Sequence, residues 1–169
     1  MSEAALATGK EVAVRVAVEG DVPDLVQLYS AAGDELAPLR GGRVLLGLSR
    51  RHADIKASFS DQLGDPGQRV VIAFAPVADH LEPVGYGTCA ICQLAGGELL
   101  GSIEELYVMP EARRQGVARA MTASLAEWCS AEGCKSMDAK ALPGSRTVKS
   151  FFESEGFTAR LLIMHRRLD

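Results

Sequence analysis

Hydrophobic positions in this chain switch back and forth between a two-residue and a helical period. Val12 to Val18 is rich in β-branched residues and predicts a strand. Asp21 then stands where an N-cap belongs and Pro23 suits a first turn, while Leu25, Val26 and Tyr29 give a helical apolar face. From Gly33 to Gly47 the pattern dissolves around Pro38 and Gly41-Gly42, which predicts a loop or short helical turns. Ile55, Phe59 and Leu63 recur every four residues up to a stop at Gly64, and Asp65-Pro66-Gly67 is a turn. Arg69 to Ala75 and Val84 to Leu94 read as strands, and Gly96-Gly97 as a hairpin into a third, Leu99 to Val108.

The second half continues the alternation. Val117, Met121, Leu125 and Trp128 line one face of a helix that ends near Gly133. Met137, Ala139 and Ala141 alternate on a strand, and Pro143-Gly144 turns the chain into a helix carrying Val148, Phe151 and Phe152, closed by Gly156. Phe157 to Leu168 reads as a last strand. Antiparallel strands followed by strand–helix–strand units imply an α/β (α+β) fold, one mixed sheet with helices on its faces. The 169 residues suit a single domain from residue 12 to 169, after a small polar tail at residues 1–11.

Composition narrows the function. At 47% hydrophobic the chain is too apolar for disorder, yet no apolar run approaches the roughly 18 residues of a membrane span. The tail lacks the layout of a signal peptide, so a cytoplasmic protein is expected. A net charge of −4 without a basic stripe argues against nucleic acid as a partner. Four cysteines suit a reducing compartment. Cys89 and Cys92 form C-x-x-C within a strand, where their thiols would point to opposite faces, and no second pair follows at zinc spacing. No metal is therefore expected. His52, His80 and His165 form no triad or metal spacing, and Arg40-Gly-Gly-Arg43 reads as a solvated loop.

Chemistry concentrates between Glu105 and Ala120. A strand end (Leu106, Tyr107, Val108) stops at Pro110, a basic loop follows (Arg113-Arg114-Gln115-Gly116), and then an Ala-rich helix begins. Such a turn leaves backbone N–H groups pointing together at the positive end of a helix, which suits an anion. Arg113 and Arg114 would add charge matched to phosphate oxygens, and Gly116 would let the backbone approach closely. Neither a nucleotide P-loop nor a three-glycine Rossmann turn is present. Arg113-x-x-Gly116-x-Ala118 does resemble the acetyl-CoA pyrophosphate loop of the GNAT superfamily of N-acetyltransferases. Ser145-x-x-Val148-x-x-Phe151-Phe152-x-x-x-Gly156-Phe157 is similar to a second motif of that family.

The resemblance covers about Val12 to Leu168 and implies the GNAT fold, its mostly antiparallel sheet splayed in the middle with helices on both faces. It implies acetyl-CoA as co-substrate, with pantetheine along Leu106, Tyr107 and Val108. Pyrophosphate would then lie over Arg113, Arg114, Gln115, Gly116, Val117, Ala118 and Arg119, with Ser145 and Phe152 beside the cofactor. The reaction would be direct attack by a primary amine in a ternary complex, the Val108 N–H receiving charge on the carbonyl oxygen. Two departures stand out. The family's Asn is Ser145, and its Tyr, which would protonate the departing thiolate, is Phe152, whose ring has no proton to give.

An alkylamine is mostly protonated at neutral pH, so a base is needed. Glu104 and Glu105 precede Val108, and alternation lets only one face the cleft unless a bulge intervenes. Glu104 shares parity with Leu106 and Val108, and a Glu at this position resembles aminoglycoside-type relatives, so Glu104 is preferred. Asp34 and Glu35 lie where the family covers its acceptor. The expected acceptor is a small-molecule or peptide amine, and a homodimer stays open. The other reading is a GNAT-like domain that binds acyl-CoA as a sensor with little turnover.

Overall fold

The computed structural model describes residues 12–48, 51, 54–77 and 80–168. The expected N-terminal tail and His52 lie outside them. Five strands form one sheet in chain order: β1 (Ala13–Val16), β2 (Gln68–Val77), β3 (His80–Gln93), β4 (Leu99–Val108) and β5 (Ser136–Ala139). All neighbours are antiparallel except β4 and β5, which run parallel. The helices are α1 (Val22–Leu36), α2 (Gly42–Gly47), α3 (Ile55–Gly64), α4 (Val117–Ala131) and α5 (Arg146–Ser154).

Strand β2 shows why both faces are covered. Its Val70 and Ile72 join Leu25, Leu28, Phe59 and Tyr86 in a core under α1 and α3. Val71 and Ala73 join Ile103, Val117, Met121, Leu125 and Phe152 in a second core under α4 and α5. A strand buried on both faces reads as an unbroken apolar run, as Val70 to Ala75 does. Helix α4 approaches β4 closely: a Cβ on Gly101 would lie 2.5 Å from Cys129 Sγ. The helix ends on Gly133 at φ +87, with the Cys134 N–H donating to Cys129 O at 2.9 Å in the helix-terminating pattern that needs a left-handed residue.

Several expectations change on contact with the structure. Helix α1 continues through Gly33 to Leu36, because Leu28 and Ala32 extend its buried face, and α2 supplies the expected short helical turns. Asp21 spends its carboxylate on Arg15 (2.6 and 2.7 Å) and on the Val18 N–H instead of capping α1. Those bonds hold its pKa below the usual carboxylate range. Cys89 is buried, 3.5 Å from Cys129 Sγ, and Cys92 is exposed.

The strand expected over Phe157–Leu168 does not form. Phe157 packs on Phe152 with ring centroids 5.2 Å apart, and Arg160 reaches Asp138 on β5 at 2.7 Å. Beyond that Leu161 to Met164 are 71% to 82% exposed. Composition favours extended backbone there, but a strand exists only through ladder bonds to a neighbour, and this segment makes none with β5. No helix among the described residues is long and apolar enough to cross a membrane.

Candidate active site

The sheet opens between β4 and β5. Their ladder has four pairs, ending at Ile103 with Ala139, while β4 runs on to Val108. From Glu104 onward the outer edge of β4 therefore faces an open V. At the start of that V the register of β3 against β4 slips: Thr88 pairs with Glu105 and Cys89 with Ile103, so Glu104 is an extra, bulged residue. The bulge corrects the parity argument made from sequence. Ile103, Leu106 and Val108 all pack toward α4, with odd and even numbers now on one face. Glu105 and Tyr107 face α1 and α3.

The two carboxylates consequently part company. Glu105 is clamped by Arg51 (Nε at 3.1 Å, a terminal nitrogen at 2.6 Å), whose side chain is only 5% exposed and stacks 3.5 Å over the Phe59 ring. Gln62 accepts from the same guanidinium at 2.9 Å. Nearby Tyr86 has its pKa raised well above the ordinary value, first by burial and then by the charge of Glu105. Glu105 is thus a partner in a buried polar cluster. Glu104, on the bulge, forms an ion pair with Lys140, the residue that follows β5. The pair spans the apex of the V.

Backbone geometry fixes what the open edge offers. The Met109 N–H donates to Val84 O on β3 at 2.8 Å. Strand N–H groups alternate between edges, so the Val108 N–H points the other way, into the V. The carbonyl of Val108 lies on that edge too and accepts from Arg113 Nε at 2.9 Å. Arg113 also holds Glu35 of α1, at 2.6 and 2.8 Å, and the Tyr107 hydroxyl donates to the same carboxylate at 2.9 Å. Burial, and then this bond, push the Tyr107 pKa up to about 12, so it stays a hydroxyl.

At the far end of the strand the chain builds an anion cradle. Arg114 sits at φ 63 and Gly116 at φ 83, both left-handed, and Gly116 caps α4 with no side-chain bond to its first turn. The first intrahelical bond joins the Ala120 N–H to Gly116 O at 2.9 Å, so the N–H groups of Val117, Ala118 and Arg119 precede it. Left-handed turns opening onto a helix start make a concave, positive site. A Cβ on Gly116 would meet nothing within 4 Å. Gln115 is held by Glu111 O at 3.0 Å, and Arg119 is paired with Glu155 at 2.8 Å.

The structure therefore brings Glu104, Leu106, Val108 and the loop onto one edge, and turns Arg113 toward Glu35 of α1 in a half-exposed ion pair. Ser145 starts α5 without a side-chain cap bond, and Phe152 is buried against Phe151 and Phe157. Asp34 is exposed. Sequence reasoning missed Lys140 and Arg51, and alternation with Ala139 and Ala141 would have placed Lys140 on the opposite face.

Residues 44–157 match the model of the Acetyltransferase (GNAT) family. The chain belongs to the GNAT acetyltransferases. Acetyl-CoA-dependent acetylation is the general activity of this family, and its α+β fold is the one seen here. No curated protein matches the sequence. Among solved structures, an acetyltransferase from Trypanosoma brucei is 22% identical at a TM-score of 0.67, covering 94% of this chain and 100% of its own. AAC(6')-Iy, in complex with the bisubstrate analogue CoA-S-monomethyl-acetylneamine, is 17% identical at 0.68, covering 94% and 99%. Glucosamine-6-phosphate N-acetyltransferase from Arabidopsis thaliana is 15% identical at 0.68, covering 95% and 100%. At these identities the likeness is one of fold.

Proposed function

We propose that this GNAT acetyltransferase moves the acetyl group of acetyl-CoA to a primary amine by direct attack in a ternary complex. The observation that carries the reading is a single edge of β4. It begins at a bulged carboxylate, turns the Val108 N–H away from β3 into the V, and ends at an uncapped helix start. In this arrangement the N–H groups of Val117, Ala118 and Arg119 hold pyrophosphate. Pantetheine lies along Leu106 to Val108 like an added strand. The Val108 N–H stabilises the oxyanion, and Glu104 takes the proton from the amine. Glu105 is left out of the chemistry because Arg51 holds it. The acceptor approaches from the side of α1 and α3, where Glu35 lies, and a small amine is the class that the names of AAC(6')-Iy and the glucosamine-6-phosphate enzyme suggest.

Incubating the protein with acetyl-CoA and a panel of amines, while following free thiol, tests the reading. Amine-dependent thiol release is the expected result. One observation favours a second reading, an acyl-CoA sensor: Phe152 carries no acid. Tight acetyl-CoA binding with no thiol release from any amine would establish it.

A further inference from the structure

Loss of a hydroxyl at Phe152 leaves the departing sulfur without the expected proton source, yet the apex of the V holds a cation. We propose that Lys140 is a catalytic residue, the acid that protonates the leaving thiolate, working as a relay with Glu104. This rests on the N-acetyltransferase reading above. Glu104 is the first β4 residue beyond the last β4–β5 pair, Ile103 with Ala139, Lys140 is the first residue after β5, and their side chains bridge the gap as an ion pair. From Glu104 to Val108 the open edge measures roughly 13 Å at the usual strand rise. A pantetheine arm entering from the α4 end and running along that edge brings its thioester toward the apex. The Lys140 side chain is 49% exposed, so its flexible stem has room to swing from the carboxylate to an incoming sulfur.

The proton balance favours the pair over either member alone. The neutral amine attacks the thioester carbon, the new C–N bond forms, and its surplus proton passes to the Glu104 carboxylate. As the C–S bond breaks, sulfur leaves with the electron pair and takes a proton from the Lys140 ammonium. The Glu104 carboxylic acid then returns its proton to the Lys140 amine, so amide and free thiol form with no net proton change. An alkylammonium is ordinarily acidic near about 10.4 and a thiol near about 8.5, so the ammonium alone donates uphill. A carboxylic acid near about 4.3 refills the amine steeply downhill, which makes the complete transfer from Glu104 to sulfur favourable.

Lys140→Arg and Lys140→Met separate proton donation from charge. Arginine keeps the ion pair with Glu104 but does not give up a proton, and methionine removes both. Single-turnover acetyl transfer should fall about 100-fold or more in both variants, within the range of general acid catalysis. Acetyl-CoA affinity by calorimetry and the melting temperature should stay near wild type, because Lys140 is half-exposed. A Lys140→Arg protein with wild-type rate would overturn the proposal and reduce Lys140 to a charge partner. So would an unimpaired Lys140→Met. If the wild-type chain itself releases no thiol with any amine, the acetyltransferase reading fails and this relay fails with it, whereas turnover that survives in Lys140→Arg removes the relay alone.

Discussion

Gly116 offers a quantitative test of the anion cradle. The residue sits at φ +83 at the start of α4, and a Cβ there would meet nothing within 4 Å. A side chain at this position consequently costs the fold only the left-handed penalty, about 1–2 kcal/mol. For a domain of this size that lowers the melting temperature by some 2–8 °C, at about 2–4 °C per kcal/mol. Binding should suffer more in Gly116→Asp. A carboxylate roughly 5 Å from a phosphate oxygen is repelled by about 3 kcal/mol at an effective dielectric near 20. At 1.4 kcal/mol per decade this weakens acetyl-CoA by roughly a hundredfold. Gly116→Ala separates the contributions: the same thermal loss, with an affinity loss below about tenfold. Calorimetry with acetyl-CoA, alongside thermal denaturation, provides the measurement. A folded Gly116→Asp protein that binds acetyl-CoA within twofold of wild type would refute the cradle and move the pyrophosphate elsewhere.

Packing and charge set three further outcomes. Phe152→Tyr places a hydroxyl among Phe151, Phe157 and the α4-side core, so it should cost about 1–3 kcal/mol in urea unfolding. If Lys140 already supplies the proton, turnover should rise little; a hundredfold gain would show that no acid now serves the sulfur. Gly101→Ala should destabilise by about 1–3 kcal/mol through overpacking against Cys129 Sγ, and adding Cys129→Ala should recover part of that loss. Strict additivity of the two changes would contradict the contact. Asp21→Asn should cost about 1–2 kcal/mol at pH 7, kept modest because Arg15 is half-exposed. The Asp21 pKa is depressed in the folded state, so its contribution is complete above the ordinary carboxylate range and disappears as pH falls through the lower native value. A wild-type advantage that stays constant from pH 7 to pH 2 would show that the Arg15 bonds are not its source.

Much of the architecture was legible because burial leaves a mark in the chain. The unbroken apolar run from Val70 to Ala75 and the four-residue recurrence from Val117 to Leu125 each mark surface that must leave water, and the structure buries both. The turn into α4 could also be read, since Gly116 stands where only a residue tolerant of positive φ fits easily. What alternation could not give is its own interruption. One extra residue at Glu104 changes the facing of everything before it relative to everything after, and no property of Glu-Glu announces the slip. Long-range partners were equally hidden: Arg113 is 78 residues from Glu35 and Arg51 is 54 from Glu105, distances over which sequence spacing carries no contact information. The C-terminal segment shows the converse limit, for strand-like composition cannot supply the neighbour that a strand requires.

The shortness of the β4–β5 ladder has a mechanical consequence. By backbone pairing only four residues tie β5 to β4, and the chain beyond is held by side chains: Phe152 in the α4-side core and the ion pairs of Lys140 with Glu104 and of Glu155 with Arg119. The stretch of β4 without a β5 partner, Glu104 to Val108, therefore coincides with the proposed cleft, and a cofactor bonded along β4 would knit a seam that the polypeptide leaves open. Ligand occupancy and the cohesion of the C-terminal third then become one quantity measured in two ways. Amide exchange around Glu104–Val108 and Ser136–Lys140 would slow with acetyl-CoA present while exchange in β2 hardly changes. In such a design the substrate is for a time part of the scaffold that holds it.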